Sequence, residues 1–218
     1  MNKNELYVVT TIEELTTKYN TNFSYYCLFN LLCLEKQSNT FAAELQANKT
    51  CFNTFDTTNL LDNAAKMAPR LTIDKRTLVK QLGCFESMQY ENKTSDTFIA
   101  IPLSIIEEII NTFINNGIKV VLWNILLRVF AYFWLATWSG TKQQEVSIRV
   151  ICDIFHMGTN LTYTTVNTLM NLDLIKRCGK MHFNSFCRPF SYEIAERLTT
   201  LRVNDNIFEG NLQLNFRV

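Results

Sequence analysis

Residues 147–180 read SIRVICDIFHMGTNLTYTTVNTLMNLDLIKRCGK, and this stretch decides the fold of the C-terminal half of the chain. Its first part carries the one-sided apolar stripe of a short helix, at Ile148, Ile151, Ile154 and Phe155. Gly158 supplies the backbone freedom of a tight turn, and Thr159 or Asn160 is placed to cap the next helix. An extended run begins at Leu174. The pattern predicts a helix, a turn, a second helix and the start of a hairpin.

The second helix of this stretch divides into an apolar and a polar face. Its predicted core positions are Leu161, Val166, Leu169 and Leu172. Its predicted outward positions are Asn160, Tyr163, Thr164, Asn167 and Asn171. Asn, Thr and Tyr side chains can hydrogen-bond base edges without carrying charge. The face is therefore typical of a helix that enters a DNA groove, although Asn and Thr also fill ordinary solvated surfaces.

The segment resembles the winged helix-turn-helix family of bacterial and mobile-element DNA-binding proteins, over about residues 118–200. The shared pattern is an isoleucine-rich helix, a turn, a polar recognition helix, and an ending with leucine, glycine, leucine, isoleucine and a basic pair. Here that ending is Leu172, Asp173, Leu174, Ile175, Lys176 and Arg177. Asp173 replaces the usual glycine, a mild departure because Asp tolerates positive φ better than most residues.

The resemblance implies a role for each part of the segment. It places a recognition helix at about 159–171 in the major groove and a wing at about 174–188 on the backbone or minor groove. The residues expected to read bases are Thr159, Asn160, Tyr163, Thr164 and Asn167. The cations expected to contact phosphates or the minor groove are Lys176, Arg177, Lys180 and Arg188. Met181–Phe186 is the expected return strand, and Ser191–Leu201 an amphipathic helix behind it.

Composition and charge agree with a folded protein that has few turns. A hydrophobic fraction of 47% and a charged fraction of 19% exclude a largely disordered chain. The small numbers of glycines (6) and prolines (3) favour helices over a sandwich of many hairpins. Residues 1–118 carry a net charge of −3 and residues 119–218 one of +4, so the positive excess coincides with the helix-turn-helix half.

The sequence predicts three regions: a mainly helical domain over 1–102, the winged helix over 103–203, and a tail or edge strand over 204–218. The predicted elements of the first domain are helices at 5–19, 23–36 and Thr72–Leu82, with strands at Met88–Glu91 and Thr97–Ile101 forming a hairpin. Thr72 is the expected cap of the third helix. That helix and hairpin permit two interpretations, a second winged unit or an α+β interaction domain. The class predicted for the whole chain is mainly α, or α+β.

Val120–Trp138 is a nineteen-residue run with one charge, which meets the length rule for a membrane span. Arg128 lies at its middle, where a bilayer would penalise it. The alternative is the buried first helix of the winged unit, which we favour. Its aromatic residues exceed the needs of a three-helix core, so some are expected to face a partner domain or a second subunit.

The seven cysteines form an odd set without the spacing of a disulfide framework, and the N-terminus has acidic residues where a secretory signal has an apolar core. We therefore expect a cytoplasmic protein with free thiols. Two C-x3-H pairs leave a zinc site open, from Cys152, His156, Cys178 and His182 with Cys187 nearby. A redox-sensing thiol at Cys178, beside Arg177, is a further alternative.

No phosphate-binding glycine loop, nucleophile elbow or paired-histidine motif occurs in the sequence. The expected function is that of a non-enzymatic, sequence-specific double-stranded-DNA-binding protein without a cofactor. The resemblance suggests plasmid or phage replication, partition, transfer-origin recognition or transcriptional regulation. The competing hypothesis is a protein-interaction module that keeps the winged fold without binding DNA. A protein partner of the N-terminal domain is also possible.

A homodimer is expected because one uncharged helix and about four cations would discriminate poorly between sequences. The apolar surface predicted to join two subunits is the face of Ile194, Leu198 and Leu201, with part of the Phe130–Trp138 run. On this hypothesis, Leu198→Asp separates the subunits without unfolding the domain.

Overall fold

The structure is a computed structural model that describes residues 6–37, 53–86, 98–138, 144–179 and 189–199. Within these ranges the protein is mainly helical, with small antiparallel sheets. The predicted α+β class is confirmed.

The chain begins with a buried strand, β1 (Tyr7–Thr11), which pairs antiparallel with β4 (Phe98–Pro102). The short helix α1 (Ile12–Thr16) follows, and the Thr11 hydroxyl caps it by accepting a hydrogen bond from the Glu14 amide at 3.1 Å. The predicted helix over 5–19 is therefore wrong in its first half. The β-branched run before Ile12 favours an extended backbone, and the long-range partner β4 supplies its ladder.

That pairing also changes the predicted hairpin. The strand expected at Thr97–Ile101 exists as β4, but its partner is β1 from the other end of the N-terminal half. Met88–Glu91, the other predicted strand, lies outside the described residues.

The remaining N-terminal elements are helical with a small two-stranded sheet. They are α2 (Phe23–Cys33), β2 (Leu34–Gln37), β3 (Asn53–Phe55), α3 (Leu60–Leu71) and α4 (Lys75–Gly83), with β2 antiparallel to β3. The predicted helix over 23–36 thus ends three residues early. Thr72 does not cap α4: it has a φ of 52° and closes α3, and the Asp74 carboxylate caps α4 by accepting from the Thr77 amide at 3.1 Å.

Helix α5 (Leu103–Asn115) follows β4, and α6 (Val120–Trp138) has the predicted bounds. α6 is the central helix of the molecule, and it packs against the β1–β4 sheet, where the Trp134 indole N–H donates to the Ala100 carbonyl at 2.9 Å. α6 is long and apolar enough to cross a membrane, but 67% of its apolar window is buried inside the protein. This burial is compatible with a soluble protein.

Arg128, the charge in the middle of α6, is buried among its neighbours. Its Nε donates to the Leu15 carbonyl at 2.8 Å and its Nη1 to the Asn20 carbonyl at 2.9 Å. The guanidinium also lies over the Phe155 ring, 5.0 Å from the ring centroid. Burial lowers the pKa of Arg128. The residue thus joins α1 and the turn after it to the C-terminal half.

The C-terminal half continues in the order β5 (Gln144–Val146), α7 (Ile148–Phe155), α8 (Thr159–Asn171), β6 (Ile175–Cys178), β7 (Phe190–Ile194) and α9 (Glu196–Thr199). The three strands form one antiparallel sheet with β7 in the middle, between β5 and β6. The strand β5 is absent from the sequence-based prediction.

The chain after the second helix differs from the prediction in two ways. The strand that pairs with β6 is β7, in which Ile175 faces Ile194 and Cys178 faces Ser191, so the predicted helix over Ser191–Leu201 is wrong in its first part. Alternate residues of β7 are buried, which is the period of a strand. Met181–Phe186, the predicted return strand, lies outside the described residues.

One continuous apolar core extends from Val8 to Leu198 and includes both halves of the chain. The side chains of Ile194 and Leu198 belong to it, as do those of Phe130, Phe133 and Trp134. The apolar face assigned to a dimer contact is therefore used inside the chain, at the residues the structure describes. Leu198→Asp would place a carboxylate in this core and unfold the domain instead of separating subunits.

Candidate nucleic-acid interface

The three-residue turn between α7 and α8 has a different geometry from the one expected. His156 ends α7 with a φ of 52°, and its amide donates to the Cys152 carbonyl. Gly158 has a φ of −67° in extended backbone and is the N-cap of α8, without a side-chain cap. The left-handed residue of the turn is thus histidine, one of the residue types that tolerates this conformation. Thr159 and Asn160 lie inside the helix and do not cap it.

A hydrogen bond between side chains links the two helices. The Cys152 thiol on α7 donates to the Thr162 hydroxyl on α8 at 3.2 Å, and that hydroxyl donates to the Gly158 carbonyl at 3.1 Å. Ser147 caps α7 by accepting from the Val150 amide at 3.2 Å. The pair α7–α8 is therefore held by hydrogen bonds as well as by its apolar core.

The polar residues predicted to read bases lie together on the outer side of α8. Asn160, Thr164 and Asn167 are exposed, and Thr159 and Tyr163 are half-buried. The amide side chains of Asn160 and Asn167 have no hydrogen-bond partner among the described residues. A side-chain amide offers donors and an acceptor, so these groups are free to bind a ligand at this surface.

The threonines of α8 use their hydroxyl hydrogens inside the helix. Thr164 donates to the Asn160 carbonyl at 2.9 Å and Thr168 to the Thr164 carbonyl at 2.8 Å. Each hydroxyl therefore offers a ligand only its oxygen lone pairs, beside an exposed methyl group. The role of Thr164 becomes that of an acceptor and an apolar contact.

Leu161 is not a core residue, contrary to the sequence-based prediction. Its side chain is 46% exposed, whereas Thr162 and Thr165 are buried in its place. Both buried threonines satisfy their hydroxyls by donating to backbone carbonyls of the preceding turn. A threonine whose hydroxyl bonds to the backbone can be buried. The apolar pattern therefore placed Leu161 on the inner face of this turn, where the structure has Thr162 and Thr165.

The two described cations of the predicted wing make contacts within the chain. Lys176 lies 3.6 Å from the Glu193 carboxylate on the neighbouring strand, in an exposed pair. Arg177 lies over the Phe190 ring, 5.0 Å from the ring centroid. Exposed pairs of this kind are weak and leave the cation accessible, so Lys176 keeps part of its positive potential. Lys180 and Arg188 lie outside the described residues.

Arg197 is a cation that sequence analysis assigned no role, and it closes the C-terminal end of α8. Its guanidinium donates to the carbonyls of Leu172 and Asp173 at 3.0 and 2.9 Å, and it lies 2.6 Å from the Glu108 carboxylate on α5. Asp173 has a φ of 52°, which fulfils the expectation for the position where the resembling family has glycine. Arg197 thus anchors the end of α8 to the N-terminal half and is not free for a ligand.

The cysteine hypotheses receive no support from the described residues. Within these residues no three His, Cys, Asp or Glu side chains are grouped as metal ligands, and His182 and Cys187 lie outside them. Burial and a hydrogen bond with Glu193 raise the pKa of the Cys178 thiol. A reactive thiol needs the opposite shift, so the surroundings of Cys178 do not favour redox sensing.

Comparison with known proteins identifies no relative. No family model matches the chain, and neither a curated protein nor a solved structure shows significant similarity to it.

Proposed function

We propose that residues 120–199 form a winged helix-turn-helix and that the protein binds double-stranded DNA in a sequence-specific manner through α8. The support for the fold is the order helix, strand, helix, helix, strand, strand from α6 to β7, with β7 between β5 and β6. In such a unit the second helix of the helix-turn-helix enters the major groove. In the proposed unit α8 corresponds to that helix, and β6 and β7 correspond to the strands on either side of the wing.

The observation that carries this proposal is the outer face of α8. Asn160, Thr164 and Asn167 are exposed there in a row, and the two amides have no partner among the described residues. Asparagine amides can bind adenine in a bidentate manner at its major-groove edge, which gives the row a function.

The positive charges around α8 would supply the affinity that is independent of sequence. Lys176 and Arg177 lie on β6, which follows α8 directly, and the half of the chain that contains them carries a net charge of +4. Since Glu193 neutralises part of Lys176, we expect moderate affinity with a small salt dependence per subunit.

We propose further that the protein acts as a homodimer in the cytoplasm, in replication, partition, transfer or regulation of a mobile element. A dimer doubles the few contacts of an uncharged recognition helix. The five cysteines that the structure describes without disulfide partners suit a reducing compartment. Because Ile194 and Leu198 are buried, the dimer uses a different surface. Static light scattering with and without DNA measures the number of subunits.

The test is a titration of the full chain with a pool of random duplexes, followed by sequencing of the bound fraction. We expect retention that weakens as salt rises from about 50 to 200 mM, and enrichment of a common motif among the bound duplexes. Retention without salt dependence, or no retention, would contradict the proposal.

The second candidate is a protein-interaction module with the same fold. The observations in its favour are the Lys176–Glu193 pair and the stacking of Arg177 on Phe190, which occupy the cations that DNA would use. The same titration separates the two, because a protein-interaction module retains no duplex at any salt concentration.

A further inference from the structure

Leu161 is an apolar side chain of α8 that the fold does not bury. It lies in the first turn of the helix, 46% exposed, next to Asn160 and one turn before Thr164 and Thr165. In a helix-turn-helix the N-terminal residues of the second helix approach the base edges most closely. In the proposed complex Leu161 would therefore bring an apolar group next to the base edges.

The whole outer face of α8 has one chemical character. Thr159–Asn171 contains no Asp, Glu, Lys, Arg or His. Arginine and lysine are the side chains that read guanine most strongly, whereas asparagine reads adenine and apolar groups contact the thymine methyl. With free amides at Asn160 and Asn167, an apolar Leu161 and the methyl group of Thr164, the face is complementary to the major-groove edge of A·T pairs.

We propose, on the basis of the DNA-binding function above, that Leu161 contacts the 5-methyl group of thymine and that α8 reads A·T pairs. The adenine of a pair offers N6 and N7 to an asparagine amide, and the thymine offers its methyl group to Leu161. The Thr164 hydroxyl, whose hydrogen is held by the Asn160 carbonyl, accepts from an adenine amino group. Leu161 is then a determinant of specificity that sequence periodicity alone assigns to the core.

The experiment replaces single thymines by deoxyuridine in the motif obtained from the random pool. This replacement removes only the methyl group and preserves base pairing. We expect the wild-type chain to lose about fourfold in affinity at the one or two thymines that Leu161 contacts, the effect of exposing about one methyl group. Leu161→Ala should bind the thymine and the deoxyuridine duplexes equally well.

Leu122→Ala is the matched control, because Leu122 is a leucine of almost the same exposure, 45%, at the start of α6. This variant should keep the fourfold discrimination of the wild type. Because Leu161 is exposed, its truncation leaves the fold intact, and the comparison of thymine with deoxyuridine on the wild-type chain requires no variant at all.

Two results with deoxyuridine would overturn the inference while the DNA-binding proposal stands. One is specific binding by the wild-type chain without any sensitivity to deoxyuridine, and the other is equal sensitivity in Leu161→Ala. A selected motif that consists of G·C pairs opposite α8 would overturn it as well. The absence of any salt-sensitive retention would instead contradict the DNA-binding function and the inference together.

Discussion

Helices α6 and α8 both belong to the C-terminal half, yet they differ in how far contacts within the fold account for their side chains. From Trp123 to Leu135 most large side chains of α6 are buried, including its only charge, and contacts with the sheet and the loops account for them. On α8 only the inner side is explained in this way. Asn160, Leu161 and Asn167 face solvent. The difference shows which helix serves the fold and which one is available for a ligand.

This comparison predicts that truncation on α6 has the largest effect on stability. Phe133 is fully buried, and its ring centroid lies 5.0 Å from that of Tyr192 on β7. Phe133→Ala should lower the free energy of unfolding by about 3–5 kcal/mol, because it leaves a cavity in the core. Urea denaturation followed by circular dichroism measures this change. Thr164→Ala on α8, at an exposed position, is the control and should remain within about 0.5 kcal/mol of the wild type.

A second prediction concerns the buried charge of α6. Arg128→Met keeps most of the apolar volume but removes both donors to the Leu15 and Asn20 carbonyls. We expect a loss of about 2–3 kcal/mol in the free energy of unfolding, because hydrogen bonds to charged groups are strong and the Leu15 carbonyl stays buried without its donor. The same denaturation experiment tests it.

The control for Arg128 is Arg149→Met on α7, where the exposed arginine lies 3.7 Å from Asp153 within the same helix. That change should cost no more than about 0.5 kcal/mol. Equal effects of the two substitutions would mean that Arg128 does not join the two halves of the chain.

The contrast between the two helices also shows which features can be predicted from the sequence alone. The bounds of α6 were predictable because a mostly apolar run of nineteen residues with one charge is typical of a buried helix, and α7 carried a one-sided stripe. The exposure of Leu161 was not predictable, because a threonine that returns its hydroxyl to the backbone is buried as readily as a leucine. Only the structure shows which residue takes the inner position.

The errors among the strands have a related cause. β7 shows the alternation of Phe190, Tyr192 and Ile194, and β1 has a run of β-branched residues, so both left a signal in the sequence. The same residues also fit a helical stripe, and the choice depends on partners far along the chain. β1 pairs with β4 about ninety residues away. β5, with three residues, is too short to leave a periodic signal.

A third prediction addresses the end of α8. Asp173 has a φ of 52°, a conformation that Asp and Asn tolerate and β-branched residues avoid. Asp173→Val should lower the free energy of unfolding by about 1–2 kcal/mol. Asp173→Asn, which keeps a side chain suited to this conformation, loses only the exposed contact of the carboxylate with the Arg197 guanidinium, 3.5 Å away, and should stay within about 1 kcal/mol. Thermal unfolding of the two variants side by side measures this difference, and an Asp173→Val variant as stable as Asp173→Asn would contradict the prediction.

The smallest effect on stability is expected on the outer face of α8, where Asn167→Ala should change the free energy of unfolding by less than about 0.5 kcal/mol. Asn115→Ala is its match, since Asn115 is an exposed asparagine at the end of α5. If Asn167→Ala destabilised the chain as strongly as Phe133→Ala, its side chain would serve the fold and the contrast between α6 and α8 would be lost.

The most direct test of the central claim is the sequence preference of these two asparagine variants in the selection from random duplexes. We expect that Asn167→Ala still binds DNA but loses about 1–3 kcal/mol of discrimination at one base pair of the motif, while Asn115→Ala selects the same motif as the wild type. Identical motifs from wild type and Asn167→Ala would contradict the assignment of α8 as the helix that reads DNA.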